Sequence, residues 1–246
     1  MKIDCLNSKL SMKKDFQNIK IIGFDADDTL WVNETYFRDA ENEIAKLMAP
    51  YETANKIDQE LFKMEMKNLP LYGYGVKGFM LSMVEMALEI SNHNISNEKI
   101  MKILEIGKAM LEKPVELLEG VETTLNKLSQ HYKLILLTKG DLLDQERKLK
   151  KSGLTDLFHH IEILSDKQVE NYSKLLKSLE IEPKEFLMVG NSLKSDVLPL
   201  VELGVSAVHI PFHTTWLHEQ VEVNTEKEDY ITLNSLNELT QLLVDE

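Results

Sequence analysis

Apolar positions along the chain fall into two regimes. The run KIIGF at 20–24 has the composition of a buried strand, with Ile21, Ile22 and Phe24 as its core residues and Gly23 permitting close packing. Residues 35–112 show no second strand pattern; apolar residues recur there at helical spacing and predict helices over roughly 35–48, 53–68, 78–92 and 97–112. Met64, Met66, Met80, Met83 and Met86 are expected to pack between these helices as flexible fillers. Pro114 breaks the pattern, and helix and strand then alternate. A helix near 121–131 precedes the strand LILL (134–137), and a helix near 141–152 precedes a strand near 160–164. A helix near 168–179, the strand FLMV (186–189), a helix near 194–203 and the strand VSAVHI (205–210) follow. YITL (230–233) and a helix near 235–244 close the chain.

This alternation predicts an α/β fold with a mostly parallel sheet and helices on both faces. The helical block is then an insertion after the first strand, giving a core of 1–32 and 115–246 and an inserted helical domain of 33–114. With 246 residues, 43% hydrophobic and 28% charged, the composition is that of an ordinary globular protein. A net charge of −13 argues against a nucleic-acid surface, which needs clustered Lys and Arg. Cys5 is the only cysteine, so neither a disulfide framework nor a Cys-based zinc site is available. The leading MKIDCLNSKLSMKKDFQ has no apolar signal stretch and no run is long enough to span a bilayer, so a cytoplasmic location is expected. The sequons at Asn33, Asn94 and Asn171 are then chance matches.

Ligands of such sheets bind outside the carboxyl ends of the strands. The first strand ends in Asp25, Asp27, Asp28 and Thr29, and residues two apart on a strand share a face, so Asp25 and Asp27 can enter one site. A helix N-cap would account for one carboxylate; three together repel one another unless a cation or a function requires them. The second strand ends in Thr138, Lys139, Gly140 and Asp141, of which Asp141 reads as an N-cap. The third ends in Ser165, Asp166 and Lys167; the fourth in Gly190, Asn191, Ser192 and, one turn on, Asp196. Their chemistry is coherent. Asp25 can attack phosphorus as a nucleophile, and Asp27 can protonate the leaving oxygen and later take a proton from water, provided its pKa is raised. Mg²⁺ would relieve the repulsion, with Asp25, Asp196, the Asp27 backbone carbonyl and Asn191 as candidate ligands. Thr138 can hydrogen-bond phosphoryl oxygens, and Lys167 can neutralise charge.

DADDT, LLTKGD, SDKQ and VGNSLKSD match, in order, the four signatures of the haloacid dehalogenase superfamily, and the chain resembles that family from about residue 19 to 210. The resemblance implies a Rossmann-like core with a mobile helical cap, a nucleophile at Asp25 and an acid/base at Asp27. It gives Thr138, Lys167 and the Asn191–Asp196 loop the roles above. Asn191 stands where the family commonly has Asp, which leaves open whether Asn191 or Asp196 binds the metal directly; Lys174 is the alternative to Lys167. The stretch GYGVKG (73–78) matches GxGxxG but follows no strand, which argues against a dinucleotide site. Family caps use a loop there to contact the leaving group, so Lys77 and Tyr74, with Tyr72 nearby and Lys139 from the core, are candidate substrate contacts. His209, His213 and His218 could form a zinc site, but Pro211 breaks their spacing, and a loop at the rim with Trp216 partly buried is the stronger reading. The charged run EVNTEKEDY reads as a solvated loop.

The expected function is a Mg²⁺-dependent phosphatase of a small phosphorylated metabolite, its oligomeric state unassigned. A 2-haloacid dehalogenase would lack Asp27; a phosphomutase would keep these residues; a silent binding protein would have no need of them. A receiver domain would be about half as long.

Overall fold

The computed structural model describes residues 16–222 and 229–244, so Cys5 and most of the EVNTEKEDY run lie outside the described residues. Two compact units are formed. One comprises the described residues up to Val32, Glu116–Thr138 and the described residues from Ser152 onward; the other comprises Asn33–Val115 and Lys139–Lys151.

The second unit is helical: α1 (Glu34–Met48), α2 (Ala54–Tyr72), α3 (Val76–Ile90) and α4 (Asn97–Glu112). Its core is an apolar cluster in which Ile44, Met48, Ile57, Met83 and Met86 are fully buried. Met64 belongs to the same cluster and Met80 packs against it. Met80 fills the space that Gly107 leaves on α4, where a Cβ would collide with its thioether. Helix α2 extends to Tyr72, past the expected end, with Pro70 accommodated in its last turn, and Gly73 (φ 71°) closes it with an N–H···O bond of 2.9 Å to Leu69.

The first unit carries α5 (Val121–Leu128), most of β2, and all of the other strands. The strands are β1 (Ile21–Phe24), β2 (Lys133–Lys139), β3 (His160–Leu164), β4 (Phe186–Gly190), β5 (Ser206–His209) and β6 (Ile231–Thr232), in the order β3-β2-β1-β4-β5-β6. The pairs β1/β2, β1/β4, β4/β5 and β5/β6 are parallel. Leu134–Leu137 and Phe186–Val189 are unbroken apolar runs because both faces of these strands are covered. Gly23 lies beside Ile135 and Met188; a Cβ there would strike the Phe186 ring. The α/β expectation holds, and this strand order reverses direction between β1 and β4, where ligands of such sheets bind.

Helix α6 (Leu142–Ser152) follows β2, and α7 (Val169–Ser178) follows β3. The helix expected over 194–203 is replaced by a π-helical turn, Leu193–Val197, that runs into the short α8 (Leu198–Glu202), with Pro199 in its first turn. Helix α9 (Leu236–Leu243) is the last element. Among the described residues no helix is long and apolar enough to cross a membrane.

Candidate active site

The Asp25 N–H extends the ladder of β1 to Val189 (2.9 Å), after which the chain curls back. The Leu30 N–H reaches the Ala26 carbonyl at 2.8 Å, and the Asp28 N–H reaches that of Trp31 at 2.7 Å. Asp28 takes φ 61° in this turn and belongs to its local structure. None of the three carboxylates caps α1, whose N-cap position is Asn33.

Asp25 is buried, and each of its carboxylate oxygens has a partner. Lys167 Nζ lies 2.5 Å from Asp25 Oδ1 and 2.7 Å from Asp196 Oδ1. The Thr29 hydroxyl donates to Asp25 Oδ2 at 2.9 Å and lies 3.3 Å from Asn191 Oδ1. Asp196 in turn accepts the Ser192 N–H at 2.9 Å through Oδ2. These contacts join the ends of β1, β3 and β4. Thr138 is buried at the end of β2, at the same carboxyl edge of the parallel sheet. Lys167, not Lys174, reaches the site; Lys174 is exposed on α7. Asp27 is half-buried, and its carboxylate accepts the Trp31 indole N–H at 2.7 Å.

Burial, followed by repulsion from Asp196, raises the pKa of Asp25 to about 7; the Lys167 charge and hydrogen bond oppose this, and Asp27 adds a smaller upward push. Burial works to lower the Lys167 ammonium, but Asp196 and Asp25 outweigh it and hold its pKa well above the ordinary lysine range. Two buried carboxylates therefore share one ammonium, and the site keeps an excess of negative charge.

Among the described residues no group of three or more His, Cys, Asp or Glu side chains forms a metal site. The donors at Asp25 nevertheless fit a hard divalent cation: two carboxylates and the Asn191 amide oxygen, in a negatively charged setting. Mg²⁺ commonly takes one or two carboxylates and keeps several waters. The three histidines have other surroundings. His209 Nε2 lies 3.0 Å from the Asn191 carbonyl oxygen, His213 lies against Phe212 with the rings tilted, and His218 lies likewise against the half-buried Trp216.

In the helical unit, Lys77 pairs with Asp141 (2.8 and 2.9 Å), so its charge is already met. Asp141 also caps α6, accepting the Asp144 N–H at 3.0 Å. Lys139 Nζ lies 4.3 Å from the centre of the Tyr74 ring, and Tyr72 donates to Glu85. Gly73 and Gly75 have positive φ, and a Cβ on Gly78 would meet the Gly73 carbonyl oxygen. The GxGxxG spacing thus serves a helix-to-helix turn.

Sequence reasoning missed Trp31, Tyr172, Ser195 and Glu219. Trp31 could have been found, because it stands four residues after Asp27 in the same tight segment. Glu219 gave no signal: it lies outside every motif and meets the Ser192 and Ser195 hydroxyls only through the fold.

A family model described as haloacid dehalogenase-like hydrolase matches residues 19–204. A crystal structure of a haloacid dehalogenase-like family hydrolase from Xanthomonas campestris is 34% identical, covers 92% of each chain and superposes with a TM-score of 0.81. Human N-acylneuraminate-9-phosphatase is 22% identical over 238 residues, covering 92% of this chain and 94% of that protein. Glyceraldehyde 3-phosphate phosphatase from Pyrococcus furiosus is 28% identical over 130 residues; that match spans 50% of this chain and 52% of the relative's length.

Proposed function

Because the chain belongs to the haloacid dehalogenase-like hydrolases, we propose that it is a phosphatase in which Asp25 forms a covalent aspartyl-phosphate with a small phosphorylated metabolite. The supporting observation is the division of labour between two neighbouring carboxylates. Asp25 is buried and held by Lys167 and Thr29, whereas Asp27 is half-buried and aimed by Trp31.

Asp25 attacks phosphorus as the bond to the leaving oxygen breaks, and Asp27 gives its proton to that oxygen. Water then attacks the aspartyl-phosphate, Asp27 takes the water's proton, and inorganic phosphate leaves with Asp25 restored. Lys167 and Thr138 hold charge and phosphoryl oxygens in place. Asp25, Asp196, Asn191 and the Asp27 backbone carbonyl would hold Mg²⁺. When bound, the ion offsets charge on the carboxylates and orients the phosphoryl group. Asp27 also separates this reading from a dehalogenase, which needs no such acid/base.

The helical unit is proposed as a cap that excludes water, with Lys139 and Tyr74 as its first candidates for contact with the organic part of the substrate. Lys77 ranks below them because Asp141 meets its charge. The names of the two relatives both refer to phosphorylated carbohydrate derivatives, so that class is the first to screen. The test is hydrolysis of p-nitrophenyl phosphate with and without Mg²⁺. Wild type should turn over only with the metal and Asp25→Asn not at all; activity surviving Asp25→Asn would end the aspartyl-phosphate mechanism.

A further inference from the structure

The π-helical turn Leu193–Val197 carries Asp196 into the site, and the Asp196 N–H donates to the Ser192 carbonyl at 2.8 Å. Ser192 adds side-chain and backbone bonds across the same turn. Its N–H donates to Asp196 Oδ2 at 2.9 Å, and its hydroxyl accepts the Ser195 N–H at 3.1 Å. Ser192 and Ser195 are both buried, so each hydroxyl proton needs an acceptor. Both are directed at one oxygen of Glu219, at 2.5 Å from Ser192 and 2.6 Å from Ser195. The same short segment is tied down beside them, where Lys194 Nζ donates to the His218 carbonyl oxygen at 2.7 Å. From the other side the buried Tyr172 hydroxyl donates to the Ser195 carbonyl oxygen at 3.0 Å.

We infer that Glu219 is a positioning residue: by accepting both serine hydroxyls it locks the Ser192–Ser195 turn and so sets the direction of the Asp196 carboxylate, which would serve the Mg²⁺ proposed there. This rests on the phosphatase reading for its catalytic consequence, but not for the lock itself. Both of its hydroxyl contacts fall on the turn, and its influence passes through it. A charged acceptor binds two hydroxyls more strongly than a neutral one, and an alanine would leave both buried protons unmet.

The test compares wild type, Glu219→Ala and Glu219→Gln by three readouts: hydrogen–deuterium exchange over residues 191–197, Mg²⁺ affinity by calorimetry, and the Mg²⁺ dependence of p-nitrophenyl phosphate hydrolysis. Glu219→Ala should speed exchange in that segment and weaken Mg²⁺ binding about 10- to 100-fold, as loss of a ligand-orienting partner does. Turnover at saturating Mg²⁺ should fall far less. Glu219→Gln, which keeps an acceptor oxygen, should restore most of the affinity. Unchanged exchange and unchanged Mg²⁺ affinity in Glu219→Ala would overturn the inference. So would an equal loss of activity at every Mg²⁺ concentration together with a lowered melting temperature, the mark of a purely structural role. Wild type that hydrolyses no phosphoester would bring down the phosphatase reading instead, and faster exchange in Glu219→Ala would still support the lock.

Discussion

Lys167 and Asp25, 142 positions apart in the chain, meet at 2.5 Å in the interior, where Lys167 also reaches Asp196. Removing the ammonium would leave two buried carboxylates facing each other. Breaking a buried pair from one side costs about 3–5 kcal/mol, so Lys167→Met should lower the unfolding free energy by that order in a urea titration. Phosphatase activity should vanish with it. A stability loss below about 1 kcal/mol would show that the pair is well solvated and that the burial argument is wrong.

Gly190 makes room for Asp196. A Cβ at this position would overlap the Asp196 carboxylate, and the neighbouring backbone cannot retreat because Gly190 pairs with His209 in the sheet. Gly190→Ala should therefore cost about 1–3 kcal/mol through overpacking and should also displace Asp196. Gly153→Ala is the matched control. That glycine has φ 74° and open space around it, so the substitution strains only the local backbone. Urea midpoints should fall for both variants, but p-nitrophenyl phosphate hydrolysis should collapse only for Gly190→Ala.

The sheet and most of the strand-end residues were legible because parallel strands buried on both faces leave continuous apolar runs, as in Leu134–Leu137. The motif positions follow directly from where those runs stop. The fate of Lys77 was not legible: pairing with Asp141 joins residues 64 apart, and no local pattern reports it. The 194–203 segment reads as an ordinary helix because its apolar spacing is helical. Its π-turn depends instead on Ser192 and Asp196 bonding back across the turn. Glu219 is the extreme case, since its partners are set wholly by the packing of a loop after β5.

Asp27 should be separable from Asp25 by kinetics. Asparagine can still accept the Trp31 N–H, so Asp27→Asn keeps the local structure while losing the proton it would donate and accept. The second half-reaction then lacks its base. A loss of about 10²- to 10⁴-fold in turnover is expected, typical of a missing general acid/base. With an activated ester such as p-nitrophenyl phosphate, whose leaving group needs little protonation, acid quenching should trap phosphate on the protein. Full turnover by Asp27→Asn would remove Asp27 from the mechanism.

Glu65 on α2 gives a stability test independent of the reaction. Burial, followed by the charges of Glu41 and Glu34, raises its pKa to about 8, and Arg38 offsets this only in part. Arg38 is itself engaged by Glu34 at 2.9 Å and by Glu41 at 2.8 Å. The folded state therefore holds a proton on Glu65 that the unfolded state, with an ordinary value near 4.5, releases. This favours folding at low pH, and the advantage is lost as pH rises from about 4.5 to about 8. Glu65→Gln mimics the protonated form and should abolish that slope. The variant and wild type should unfold at the same urea concentration at low pH, near the ordinary value. At pH 8.5 the variant should be more stable by about 2 kcal/mol, after allowance for partial solvent screening. Far-ultraviolet circular dichroism along a urea series at both pH values reads this directly, and parallel pH profiles for the two proteins would show that Glu65 is ionised in the folded state.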